Sequence, residues 1–513
     1  MAAGDTGTIL MRSPFFLLCA AVVAVAFCLV ATLNSGGYRF GVGDQAFYLP
    51  AIQRHLALDS FPRDRDLIAQ QDRLIVVARA AAGVVSRTGL SVEALAFLAY
   101  VFALVLLLAA TLSVAHQMGL SWWAQAALAA AITLRHRVGL TGVNTLEGYT
   151  HPRMLAFGVG MAAVSVYLRG RPWWTIGLVA MAAVVHPTTA VWFAVWLGTA
   201  IFVSQRRWRI PLAASAVVTA TGLGWALGWG PLADRTARMD ADWLAVLGTK
   251  DYLFANAWPV SMWLVAGLYV AVVVAGFRLR RTAGCAHAGE AGLVAGALAL
   301  AAIFAVTLPW VARATALAIQ LQISRMFWML DAFGTIYLAW AVADGFGRAA
   351  SSTSPERMLA RRARMVAVVV ALAAVGRGAY VTWIEHPGRA VVEWALPHTD
   401  WQDAMDWLRA TPVSTHVLAD PGHAWRYGSS VRVAAARDVY LEEVKDAAIA
   451  MYGRPVAARV AERTSALGAF DALTPDSARS LARRFDLDYL VTERTLDLPL
   501  AYRNARFSIY RLK

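Results

Sequence analysis

Asp44 lies in Gly41-Val42-Gly43-Asp44-Gln45, shortly after the apolar stretch 13–33. The glycines let the backbone turn tightly there. A carboxylate so placed can take the proton of a hydroxyl and raise its nucleophilicity. It can equally cap a helix over 46–56. Asp64 and Asp66 stand two apart in Phe61-Pro62-Arg63-Asp64-Arg65-Asp66. In extended chain both point the same way, and two carboxylate oxygens suit a divalent cation. Capping of a helix from Leu67, or pairing with Arg63 and Arg65, is the alternative. Tyr149-Thr150-His151-Pro152-Arg153 opens another apolar segment. Pro152 suits a first helical turn and presents His151 and Arg153. Arg153 can hold phosphate oxygens by a charge-assisted fork or snorkel to an interface. Glu147 is placed to orient either.

His186 begins His186-Pro187-Thr188-Thr189, in the middle of the apolar run 173–203. It is either a packed, hydrogen-bonded histidine or a contact for a lipid-linked phosphate. Arg325, which follows Gln320 and Gln322, is a second phosphate candidate. Asp331 in the same segment needs a partner, because an unpaired charge there is costly. Arg325 is too far along the helix to supply it. Gln45, Trp258 and Trp310 are candidates for contact with a sugar or an acceptor. The tryptophans have interfacial anchoring as their alternative.

These residues are set between apolar segments at about 13–33, 91–112, 121–139, 152–168, 173–203, 210–229, 257–277, 290–310, 325–344 and 365–384. A helix needs roughly 20 apolar residues to cross a bilayer. The 173–203 run is too long for one crossing, and Pro187 breaks it near His186. About eleven spans result. With a cytoplasmic N-terminus, the basic hinges Arg169-Gly170-Arg171, Gln205–Arg209, Arg278–Arg281 and 345–364 all fall in the cytoplasm, as the positive-inside rule requires. Arg135-His136-Arg137 fits this less well. The large first loop 34–90, the loops 140–151, 230–256 and 311–324, and the tail 385–513 then face outward. Every polar cluster above shares that side.

Composition agrees. The 513 residues are 59% hydrophobic and 16% charged, against about 25% charged in soluble domains. The net charge of +14 comes largely from hinges, which argues against nucleic acid. Cys19, Cys28 and Cys285 form no disulfide framework. The stretch 13–33 is longer than a signal h-region and lacks a clear cleavage motif, so a retained span is expected.

The tail reads as mixed α/β. Strands are expected at 415–420, 431–435, 488–492 and 507–511, and helices at 402–408, 441–451 and 475–485. No nucleotide-binding fingerprint is present. The expected architecture is a mainly α-helical polytopic membrane domain, 1–384, followed by a small extracytoplasmic α/β domain, 385–513.

The first span with its outer loop opening at Asp44, the split hairpin at His186-Pro187, the many spans and the α/β tail together resemble the GT-C superfamily of polytopic membrane glycosyltransferases. The likeness is nearer to its uncharacterised bacterial members. It implies a polyprenyl-phosphate-linked sugar as donor, a glycan or lipid acceptor, and inversion at the anomeric carbon. It places the first-loop acidic base on Asp44 and the second-loop residue on Glu147 or His151. Arg153, Arg325 or His186 would hold the leaving lipid phosphate. Some members use a divalent cation such as Mg or Mn, for which Asp64 and Asp66 are the candidates. No W-W-D-x-G segment is present, which argues against protein N-glycosylation. The expected location is the bacterial inner membrane, among its lipids. A transporter or lipid flippase, or a non-catalytic envelope assembly protein, is the alternative.

Overall fold

The computed structural model describes residues 14–73, 75–134, 137–139, 141–345 and 356–513. Arg135, His136 and part of the 345–364 hinge lie outside them.

Among the described residues, eight helices are long and apolar enough to cross a membrane: Leu17–Asn34, Val92–Gln117, Pro187–Ser204, Arg206–Gly228, Val260–Thr282, Glu290–Ala312, Ala316–Gly345 and Arg357–Glu385. Pro152–Leu168 and Pro172–Val185 are shorter apolar helices, and Trp122–Thr133 is a third. The chain is a mainly α-helical, multi-span membrane protein with a small C-terminal mixed α/β domain. The helix Arg209–Gly228 shows the solvent these surfaces expect, for it buries none of its side chains. Val218 and Trp225 are 71% and 59% exposed. Water would penalise such a surface; hydrocarbon does not.

The long 173–203 run divides where proline dictates. One helix ends at Val185 and the next begins at Pro187. His186 between them is extended, and its Nδ1 accepts the Thr189 N–H at 3.3 Å. Not every hinge arginine is solvated. Arg280 is fully buried, bonded through Nε and Nη2 to Glu290 at 2.9 Å each. Its guanidinium also lies 4.8 Å from the Trp340 ring.

The tail holds a five-stranded sheet in the order Asp438–Val439, His416–Leu418, Tyr489–Thr492, Ser508–Arg511, Leu500–Arg503. The first three strands are parallel and the last two join antiparallel. Helices Asp400–Arg409 and Pro475–Phe485 flank it, the second closed by a Thr474–Ser477 capping box. Val431–Ala434 is a short helix, not the expected strand. Its alternating β-branched residues mislead, because the Ser430 hydroxyl caps the turn by accepting from Arg432 N–H at 3.1 Å. The helix Arg454–Leu467 lies outside the expected elements, although Gly453-Arg454-Pro455 is a helix-start signal.

Several seams join the tail to the membrane domain, one of them through the loop helix Ala241–Leu247, where Trp243 Nε1 donates to Ala450 O at 2.8 Å. Tyr38–Arg39 pairs parallel with Val392–Glu393. The first loop is tied to the tail by buried charge, described below.

Candidate functional site

Asp44 precedes the helix Gln45–Leu56 but does not cap it through its side chain. Its carboxylate turns away from the helix. Oδ2 lies 3.0 Å from His151 Nε2 and 3.8 Å from Arg153 Nη2, and Oδ1 accepts from Lys445 Nζ at 2.9 Å. The turn that aims it depends on Gly43, whose φ is +58° and where a Cβ would sit 2.6 Å from the Tyr149 ring. Gln45 locks the turn to the second loop. Its Oε1 accepts from Gly41 N–H at 2.6 Å, and its Nε2 donates to Thr150 O at 3.5 Å. Gln45 is buried, and both ends of its amide are engaged.

His151 caps the helix Pro152–Leu168: its Nδ1 accepts from Arg153 N–H at 3.0 Å. With Nδ1 an acceptor, Nε2 carries the proton and donates to Asp44. Burial, then Arg153, push the imidazole's pKa down to about 3 against the pull of Asp44. The ring is neutral at physiological pH. Arg153 is engaged by Glu147 Oε1 at 2.9 Å, and Glu147 accepts from Asn144 Nδ2 at 3.2 Å. Glu147 thus orients Arg153 and does not touch Asp44. Asn144 had no distinguishing signal in the sequence.

Burial works to raise the Asp44 pKa, but Lys445, His151 and Arg153 outweigh it and hold the carboxyl well below the usual carboxylate range. The side chain is still 31% exposed. The site is an ionised carboxylate with an open face.

His186 lies beside this cluster, its ring 6.2 Å from that of His151. Thr189 Oγ1 and Thr188 Oγ1 approach its Nδ1 at 2.9 and 3.2 Å. Arg325 completes the group within electrostatic reach of Arg153 and Asp44. Its guanidinium stands 5.9 Å from the Tyr252 ring, and its buried Nε has no hydrogen-bond partner. No carboxylate pairs with it among the described residues. The structure therefore gathers Asp44, Glu147, His151, Arg153, His186 and Arg325 from the first loop, the second loop, the split hairpin and a late span.

Other candidates lie elsewhere or are occupied. Trp258 is 8% exposed and packed within 5.6 Å of Phe304 and 5.8 Å of Trp263, so it presents no open ring. Trp310 is 47% exposed at the end of Glu290–Ala312. Asp64 and Asp66 do not point together. Asp66 is exposed in the first turn of Arg65–Asp72, whereas Asp64 is fully buried. Asp64 Oδ2 accepts from Arg432 Nε at 2.7 Å, and Oδ1 pairs with Arg459. Two guanidinium groups already occupy its oxygens, so this donor set does not fit a divalent cation.

Lys445 is the residue that the sequence did not mark. It is a lone lysine on the tail helix Glu443–Ala450, more than 390 positions from Asp44 in the chain. Only the docking of the tail brings them together. Part of that docking is ionic. Arg432 bonds Asp446 through Nη1 and Nη2 at 2.7 and 3.1 Å as well as Asp64. Asp438 accepts the backbone N–H groups of Arg63 and Asp64 at 3.0 Å each.

No family model and no curated protein sequence matches the chain. Several solved structures are similar in overall path, two of them as follows. The oligosaccharyltransferase of Archaeoglobus fulgidus, crystallised with a tethered acceptor peptide, aligns with a TM-score of 0.48 at 12% identity, over 94% of this chain and 69% of that one. The arabinofuranosyltransferase AftD from Mycobacteria aligns with a TM-score of 0.44 at 15% identity, over 96% of this chain and 40% of that one, so the present chain spans less than half its length.

Proposed function

We propose that the protein transfers a sugar from a polyprenyl-phosphate-linked donor to an acceptor hydroxyl at the extracytoplasmic membrane face, as a GT-C-like enzyme. The observation that carries this reading is the pairing of opposites at one end of the bundle: an ionised, partly open carboxylate within electrostatic reach of Arg325, which pairs with no carboxylate among the described residues. A nucleophile needs the first. A departing phosphate needs the second.

In the proposed step the acceptor oxygen attacks the anomeric carbon as the bond from that carbon to the phosphate oxygen breaks. The hydroxyl proton passes to Asp44. The bonding electrons leave with the lipid phosphate, whose growing charge meets Arg325 and the proton-bearing Nε2 of His186. His151 and Arg153 keep Asp44 aimed, and Glu147 keeps Arg153 aimed. One carboxylate faces the open side and Glu147 is tied to Arg153, which suits a single displacement with inversion. Asp64, with Arg432 and Arg459 on its two oxygens, offers no open donor there for a cation. A transport path would need polar side chains across the bilayer, and the clustering at one end supports transfer instead.

The test is release of polyprenyl phosphate and formation of glycosylated product by the purified chain in lipid nanodiscs, over a panel of polyprenyl-phosphate sugars and envelope acceptors. Movement of lipid or solute without product would point to transport. Neither, across the panel, would point to an assembly role.

Two variants probe the roles. Arg325→Gln is expected to lower kcat by about 10²–10³-fold, the loss typical of removing preorganised charge from a leaving oxyanion. Arg325→Lys should recover part of it. Unchanged turnover would remove Arg325 from the reaction. Lys445→Gln should act through pH. Asp44 works deprotonated, and Lys445 is the largest of the influences lowering its pKa. In the parent, the acidic limb of kcat/KM therefore falls below the ordinary carboxylate pKa of about 4. Without Lys445 the pKa rises and the limb moves to higher pH. A superimposable profile would rule out that coupling.

A further inference from the structure

A cavity of about 770 Å³ opens between the loop helix Ala241–Leu247 and the tail helices Glu443–Ala450 and Arg454–Leu467. This is the size of a small-molecule site. Trp425, Asp242, Glu443, Lys250, Thr464 and Ser465 line it, between aliphatic side chains of the flanking helices. None of the chemistry above uses it. We propose that this cavity binds a neutral oligosaccharide, stacked on Trp425 and hydrogen-bonded to Asp242 and Glu443, and that this glycan is the acceptor. The word acceptor rests on the transferase reading; the glycan site stands without it.

Four observations carry the assignment. The Trp425 indole is 68% exposed, an open platform for the C–H face of a sugar ring. The Asp242 and Glu443 carboxylates are exposed and held in no ion pair or side-chain hydrogen bond among the described residues, so they can accept from sugar hydroxyls. Lys250 Nζ donates to the Val444 carbonyl at 3.1 Å and keeps its charge, so the lining sets two carboxylates, Asp242 and Glu443, against one cation. They disfavour a phosphorylated or acidic ligand. Last, the cavity adjoins the reacting carboxylate. Lys445 Nζ lies 5.9 Å from the centre of the Trp425 ring and 2.9 Å from Asp44 Oδ1. A sugar on Trp425 is one lysine side chain from the base.

Other occupants fit less well. Helices form the walls, so no unpaired strand edge is offered to an extended peptide. An acyl chain would leave the carboxylates and hydroxyls without partners.

The experiment is calorimetric titration of the full chain in nanodiscs. The probes are neutral pentose and hexose oligosaccharides, from di- to hexasaccharides, the same oligosaccharides bearing a phosphate, and peptides of similar length. Saturable binding of a neutral oligosaccharide is expected, weakened about 10-fold in Trp425→Ala, the scale of one aromatic contact. Trp425→Phe should retain most of it, and Glu443→Gln should weaken it, with unfolding midpoints unchanged for these exposed positions. Absence of binding by every neutral oligosaccharide, equal binding by Trp425→Ala, or preference for the phosphorylated or peptide probes would overturn the proposal. Glycan binding of this pattern without turnover of any polyprenyl-phosphate sugar keeps the cavity and removes the transferase reading. Turnover with glycan binding indifferent to Trp425 does the reverse.

Discussion

Asp44→Asn is expected to lower sugar transfer by about 10²–10⁴-fold, the usual loss when a positioned proton acceptor is removed. The substitution is close to isosteric. It leaves the Gly41–Gln45 turn and its bonds to Gly41 N–H and Thr150 O in place. What it removes is the charge. An amide cannot take the acceptor's proton, and it no longer balances Lys445 and Arg153. Because the side chain is 31% exposed, water can solvate part of what is left unpaired, so the fold should survive. The measurement is product formation in nanodiscs beside a thermal melt of the same preparation. Full-rate product from Asp44→Asn would end the role of Asp44 as base. A lost melt would mean that the variant reports on folding, and Asp44→Glu would then be the test, with an expected intermediate rate.

The second large effect concerns the tail. Asp64→Ala is expected to destabilise its docking by about 3–5 kcal/mol, the scale for removing one partner of a buried ion pair. Asp64 is fully buried and receives Arg432 Nε at 2.7 Å, Val439 N–H at 3.2 Å and Arg459. Its loss leaves these donors facing no acceptor. Transfer should fall as well, because Lys445 rides on the same domain. Denaturant unfolding and proteolysis of the segment near residue 385 would register the change. Asp66→Ala, at an exposed position, should shift stability by no more than about 0.5 kcal/mol. Equal losses from both substitutions, with rescue by Mn, would instead restore a shared cation. The pH dependence has a definite sign. Burial pushes the Asp64 carboxyl up, but Arg432 and Arg459 outweigh it and hold it below the ordinary range. A depressed carboxylate contributes fully above its unfolded pKa of about 4 and is lost as pH falls through the lower folded value. Docking should therefore persist through mildly acidic pH.

Much of the architecture was legible in the chain because a bilayer imposes length and polarity on each element separately. Apolar runs, the His186-Pro187 break and the α/β tail are local properties, read one segment at a time. Asp44, His151, Arg153, His186 and Arg325 were visible for the same reason: a polar group beside an apolar run stands out. Their contacts were not visible. Arg153 reads as a phosphate candidate, and only the fold shows that it donates to Glu147 at 2.9 Å and lies 3.8 Å from Asp44. Asp64 reads as half of a metal site until two arginines from the tail close on it. Val431–Ala434 reads as a strand until Ser430 is seen to cap it.

The chain alone determined a multi-span membrane protein, with its reactive candidates at segment ends and a soluble domain after them. Tertiary structure decided which of those candidates touch, and it added Lys445, Asn144 and Arg432, whose neighbours in sequence say nothing. The physical reason is range. Hydrophobic length and helix breaking act within a few residues, whereas the largest single influence lowering the Asp44 pKa is a lysine that only the folded tail can bring to it.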